Sequence, residues 1–448
     1  MTTSTLDAPD DRRGGSGRRL RAAMAWYGVS VLVLATVFGA VDRQILVLLA
    51  EPVRRSLELS DTRLGMLQGL GITLFGGLAA LPVAWMADRF GRRLVLAGSV
   101  LVWGGATAVC GFAHSFGVLF AGTVGLGIGE AAIVPIIYAL IPEIVPARRR
   151  MLVNGIYALA SVFGAGLGMG LSGYFIQLVG SVRPDLPVVW QAYETWRLAF
   201  MVVAIPAPLV ALMLLLIRRH PERESLHAVA AHAPTTLFRF VHANARVVLG
   251  AYVGIGLSTF GLAAAAQWLP VVAARQFGAE AFDIGRGFGA AYLSAAPVGA
   301  LVGSLGARWL RARLGVAMPI RVVASGFALS GLIALASPWA TAPSLLYALF
   351  AAELACVIGT SVLMPTMLQD MLPISLRSRG IALCTFLSAL LASASPVVVG
   401  LLSDAMSSRN DGLLLSVTVV QVASLLCGAG LLRLLEPAFA RLVARLQD

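Results

Sequence analysis

The stretch "FGAVDRQILVLLAEPV", residues 38–53, sets an acid beside a base, Asp42 then Arg43, inside a run of lipid-soluble side chains. A third ionisable group, Glu130, follows the alternating glycines Gly125, Gly127 and Gly129 in "GLGIGEAA". A charge at the centre of an apolar helix costs about 2.5–3.5 kcal/mol on insertion scales, so such residues face a bundle interior and mark a pathway. Two carboxyls sharing a low-dielectric cavity repel, which brings one of them into a range where a proton binds and leaves. Arg43 never loses its proton and can hold one acid ionised or meet an anion. The available chemistry is reversible proton binding beside a fixed positive charge. A static ion pair of Arg43 with either acid, retained for packing, is the competing reading.

Positioning these groups takes membrane-spanning helices. Of 448 residues 58% are hydrophobic and only 12% charged, and the mean hydropathy is +0.85, against roughly 25% charged in soluble domains. A helix needs about 20 apolar residues to cross a ~30 Å hydrocarbon core. Twelve runs qualify: 25–50, 63–87, 94–113, 117–141, 152–178, 197–217, 246–274, 284–307, 318–337, 345–370, 380–403 and 412–434. The fold class expected is an all-α integral membrane protein with twelve transmembrane helices. The polar, Arg-rich first 24 residues lack a short apolar core with a small-residue cleavage site, and read as a cytoplasmic tail.

Charge distribution sets the orientation. The chain carries +12 and contains no lysine; with both termini cytoplasmic, 25 of the 34 arginines fall on the inner side. The positive-inside rule accounts for the basic balance without nucleic acid. Cys110, Cys356, Cys384 and Cys427 lie in apolar runs without CxxC spacing, and His220, His227, His232 and His242 are irregularly spaced in or beside one loop, so neither a disulfide framework nor a metal site is expected.

Residues 218–245 form the long polar interruption and divide the runs six and six. The expected organisation is a tail over 1–24, a half over 25–217, a cytoplasmic linker over 218–245, a second half over 246–435 and a cytoplasmic tail over 436–448. Internal repetition supports the halves. "AWMADRFGRR" from Ala84 answers to "GSLGARWLRAR" from Gly303, with Arg308 and Arg311 in register with Arg89 and Arg92 and Ala307 at the acid position. Pro146 before Arg148, Arg149 and Arg150 is echoed by Pro373 before Arg377 and Arg379.

"AWMADRFGRR" resembles the loop motif G-x-L-a-D-R-x-G-R-[RK] of the major facilitator superfamily, with Ala84 for glycine and Met86 for leucine. A narrower resemblance is to the Spinster subfamily, carried by "VDRQILVLLAEPVRRSLELSDTRLGMLQG" (41–69), "GLGIGEAAIVP" (125–135), "TWRLAF" (195–200) and "QWLPVVAARQFG" (267–278). It implies two six-helix halves, alternating access, and a gating motif of Asp88, Arg89, Gly91 and Arg92 whose charged members, Asp88, Arg89 and Arg92, make contacts across the halves in the outward-open state. It also implies amphipathic substrates such as sphingosine phosphates or lysophospholipids. Thr123 stands where the superfamily commonly has arginine, so no coupling role transfers to it.

The resulting expectation is a proton-coupled secondary transporter in the inner membrane. Asp42 and Glu130 bind protons, and Arg43 is their partner or meets the substrate headgroup. Cavity contacts are assigned to Gln68, Phe75, Tyr138, Tyr157, Gln267, Trp268, Tyr292, Glu353 and Gln369, with ordinary helix packing as the alternative for each. A proton-coupled multidrug or organic-anion carrier is the close alternative, and a non-transporting sensor the remote one. No G-x-x-x-x-G-K-[ST] points to ATP, and no nucleophile–base pair to an enzyme. The partners expected are the bilayer, a small amphipathic substrate and protons, with a monomeric chain, no cofactor and no nucleic acid.

Overall fold

The computed structural model describes residues 11–131, 133–217 and 235–447; His220, His227 and His232, with most of the expected linker, lie outside the described residues. Twelve helices are long and apolar enough to span a bilayer, and among the described residues there is no strand. The first six spans are Ala23–Leu48, Asp61–Phe90, Arg92–Gly111, Phe116–Ile144, Arg148–Asp185 and Thr195–Leu215. The second six are Ala245–Phe277, Ala281–Ala307, Gly315–Trp339, Pro343–Asp370, Ile374–Ala405 and Gly412–Leu446.

The helices run past the expected tails. Residues Asp11–Leu48 form one helix, and the last runs Gly412–Gln447. Beyond Pro437 the chain stays helical because Phe439, Leu442 and Val443 fall on one face and are buried against the second half. Breaks between spans carry recognisable stops: Gly91 adopts φ 101° after span two, and Ser60 Oγ caps span two by accepting from Arg63 N at 3.3 Å.

Packing repeats between halves. Span one packs on five, three on four, and three on six; correspondingly seven packs on eleven, nine on ten, and nine on twelve. The halves meet through spans five with eight and two with eleven, pairs that the same repeat interchanges. These crossings are close because they lack side chains: a Cβ at Gly65 or Gly69 of span two would collide with the carbonyls of Pro396 and Ser393 of span eleven. Between Gly65 and Phe75 span two widens into π geometry, over Met66–Leu74.

The two ends of the bundle differ. At the end bearing links 49–60, 278–280 and 406–411, one buried core runs continuously from the first half into the second. Toward the other end a separate core holds the second half alone. There Gly77, Gly155 and Gly306, on spans two, five and eight, have nothing within 4 Å of a Cβ position. The molecule is closed at one end and open at the other.

Candidate functional site

Arg43 and Glu130 form the central pair. Glu130 Oε2 accepts from Arg43 Nε at 2.9 Å and from Nη2 as well. Span one supplies the cation and span four the acid. The Arg43 side chain is 57% exposed and Glu130 only 6%, so the guanidinium faces open space with the carboxylate behind it. That space is a cavity of about 310 Å³. Its polar wall is Arg43, Glu130, Gln68 and Thr73 from the first half with Gln267 from the second; Leu46, Val47, Ile72 and Val134 make it apolar elsewhere.

Asp42 turns away from this pair. Successive helix residues point about 100° apart, and Asp42, 1% exposed, looks into span three. There it accepts from Thr107 Oγ1 at 2.8 Å and from Trp103 Nε1. Trp103 is also the residue on which span four rests: a Cβ at Gly129 would lie 2.6 Å from Trp103 Cβ and 2.8 Å from the Ser99 carbonyl. Trp103 thus holds Asp42 through its indole N–H and supports, at its Cβ and backbone, the glycine that precedes Glu130. Sequence reading missed Trp103 and Thr107, whose signal was an indole and a hydroxyl four residues apart on one face of an apolar run.

Of the expected cavity contacts, Gln68 and Gln267 line it. Neither polar atom of Gln68 has a protein partner, nor has Gln267 Oε1. Trp268 belongs instead to the second half's interior, fully buried with Nε1 donating to the Pro396 carbonyl at 3.1 Å. Tyr292 packs edge-on against Phe350, Tyr157 is buried edge-on against Tyr138, and Phe75 meets Phe120. These rings are outside the cavity wall because they satisfy one another as aromatic pairs. The Gln369 carbonyl accepts from Arg377 Nε at 3.0 Å. Glu353 is buried between spans nine, ten and twelve, away from the cavity. Thr123 is buried, its hydroxyl donating to the Phe120 carbonyl at 2.8 Å.

The loop motif stays within the first half. Asp88 accepts from Arg92 Nη2 at 3.3 Å, Arg92 Nη1 donates to Glu143 at 2.8 Å, and Arg89 lies over the Trp85 and Phe90 rings. The side chains of Arg308 and Arg311 lie outside the described residues.

Cross-half polar contacts gather at the closed end. Asp404 of span eleven accepts from the backbone N–H groups of Asp61 and Thr62, both at 2.9 Å, capping span two from the other half. Arg275 of span seven donates to Asp61 at 2.8 Å and to Glu51 at 2.9 Å. Burial by itself raises the Glu51 carboxyl, yet its bonds and charge attraction to Arg54, Arg275 and Arg55 outweigh burial and bring it down to about 2. The 41–69 and 267–278 stretches contain all these residues but Asp404.

The sequence profile described as the Major Facilitator Superfamily matches residues 32–396. The chain belongs to that superfamily. It is an integral membrane transporter, and the two ends described above are the geometry of alternating access. It is 28% identical over 428 residues to an MFS-type efflux pump of Mycolicibacterium smegmatis, covering 90% of this chain and 91% of that one. It is 26% identical to a gentisate transporter of Corynebacterium glutamicum, over 90% and 87% of the two chains. The crystal structure of a bacterial homologue of the human lysosomal transporter Spinster, inward-facing and unoccupied, superposes with a TM-score of 0.76 at 20% identity, covering 94% and 97%.

Proposed function

We propose that this transporter is proton-coupled and moves an amphipathic substrate with an anionic head, of the lysophospholipid or sphingosine-phosphate type. The observation that carries the reading is the Arg43–Glu130 pair, with its cation turned into a cavity and its acid behind. An anionic head that takes the free face of Arg43 competes with Glu130 for it. Glu130, losing its cation in a nearly dry wall, then takes up a proton. Substrate and proton therefore bind together. The unpartnered Gln68 Nε2 offers a further donor to the head, Gln267 brings a polar side chain of the second half to the same wall, and the apolar wall suits the tail. Asp42 is the second proton-binding acid, linked to the first through Trp103. The chain acts as a monomer in the inner membrane with both termini cytoplasmic, so the open end is the inward one.

A cationic drug, which the efflux-pump relative makes the second reading, reverses the sign: it pairs with Glu130 and competes with protons. Binding of a fluorescent lysophospholipid to the purified chain at two pH values separates them. Tighter binding at the lower pH, lost in Glu130→Gln, is the expected result. Weaker binding at the lower pH, or the same pH dependence in Glu130→Gln, would refute it.

A further inference from the structure

A second acid lies buried where transport has no evident use for it. Glu353, on span ten, is fully buried, and Gln421 on span twelve is 1% exposed. Gln421 Nε2 donates to Glu353 Oε2 at 2.5 Å. That bond leaves two acceptors over, Glu353 Oε1 and Gln421 Oε1, and neither has a donor. An amide offers donors at one end and an acceptor at the other, whereas a carboxylate offers acceptors only. Two unsatisfied buried oxygens around one ionised acid are costly twice over: each lacks its hydrogen bond, and the charge lacks a counterion.

No cation compensates. Among the described residues Glu353 forms no ion pair, and the ion pairs on the surrounding spans are made with other groups. Arg275 of span seven holds Glu51 and Asp61, Asp283 and Arg286 of span eight hold each other, and Arg321 of span nine and Arg433 of span twelve hold Glu436. The groups near the acid are neutral: Ser330 of span nine, whose hydroxyl donates to the Glu353 backbone carbonyl at 3.5 Å, and Cys356 on its own helix. Turning the Gln421 amide over changes which oxygen is orphaned, not the number of donors.

We propose that Glu353 carries a resident proton on the carboxyl oxygen that Gln421 Nε2 does not reach, so that a neutral acid and an amide face each other as a two-bond pair. The proton makes Glu353 Oε1 a donor to Gln421 Oε1, and both orphaned oxygens are satisfied by one hydrogen. The site ties span ten to span twelve inside the second half. It stays loaded through the transport cycle, which separates it from the cavity acids that load and unload.

Infrared spectroscopy of the full chain in detergent, titrated from mildly acidic to mildly alkaline pH, reads the site directly. The expected result is a protonated-carboxyl C=O band that persists across the titration and is missing in Glu353→Gln, with the pH profile of transport unchanged in that variant. A double-mutant cycle adds a second readout: Gln421→Leu lowers the melting temperature, and Glu353→Leu in the same chain recovers part of the loss, because no acid is left unpaired. A carboxyl band that titrates away within that range in the parent, or a Glu353→Gln variant whose transport profile shifts, would overturn the proposal.

Discussion

The closed and open ends of this bundle are built from the same helices and held by opposite means. At the closed end, backbone meets backbone at Gly65 and Gly69, and charged groups cross between halves: Asp404 onto the start of span two, Arg275 onto Glu51 and Asp61. At the open end every hydrogen bond and ion pair between described residues stays inside one half, as Arg92 with Glu143 and Arg321 with Glu436 do. A change of state therefore acts on the contacts of the closed end. Sealing one end combines directional, breakable contacts with a core that both halves share there, while toward the other end the second half has an interior of its own. A molecule so built rocks by parting the shared core at the seal while the second half's own core stays packed.

The largest expected effect comes from obstructing the backbone crossing. Gly69→Leu puts a side chain into the Ser393 carbonyl and should abolish closure at that end, whereas Gly77→Leu, in open space, should leave this conformation populated. The distance between labels at Glu58 and Ser408, one in each half at the closed end, checks the pair. Asp404→Ala removes the cap that the second half lends to the first. Loss of an N-cap costs about 1 kcal/mol, so the ratio of closed to open at that end should fall roughly five-fold, read as a shift in label distance populations. Asp404→Asn should retain part of it.

The pH response of the same contacts is smaller. Glu51 is held below its ordinary value of 4.5, at about 2, so its contribution is complete above 4.5 and is lost only as pH falls toward 2. Closed-end distances should therefore stay constant from neutral pH down to about 5; a transition above that would mean another group controls the seal. Smallest is Asp88→Asn in this conformation. Asp88 is 71% exposed with one contact at 3.3 Å, and exposed pairs contribute little, about 0–1 kcal/mol. The distribution in the present state should hardly move, and any effect should appear as loss of the opposite state.

Much of this was legible in the chain, for physical reasons that also explain what was not. Spans announce themselves because a helix that crosses hydrocarbon must be long and apolar, and Asp42, Arg43 and Glu130 stand out against that background. Their pairing does not. From the sequence Arg43 can pair with either acid, and it holds Glu130 alone, because its neighbour Asp42 points to a different helix. Trp103, whose indole N–H bonds Asp42, carries by itself no mark in the sequence that separates it from an ordinary apolar residue of its span. The closed-end contacts join residues more than 200 positions apart, such as Asp61 to Arg275 and Thr62 to Asp404, and no local pattern encodes that proximity. The π segment over Met66–Leu74 is likewise invisible in composition, since the same residues make an ordinary helix.

Sealing one end and opening the other are, in this fold, a single event. Paired distance measurements by electron spin resonance test it most directly, with labels at Glu58 and Ser408 for the closed end and at Arg149 and Ile374 for the open one, in the parent and in Arg275→Gln. Arg275 is 26% exposed, so removing its charge should cost less than the 3–5 kcal/mol of a fully buried pair, about 2 kcal/mol, or roughly thirty-fold in the population ratio. In Arg275→Gln the 58–408 distance should lengthen and the 149–374 distance shorten, in the same fraction of molecules. Lengthening at one end with the other unchanged would contradict it.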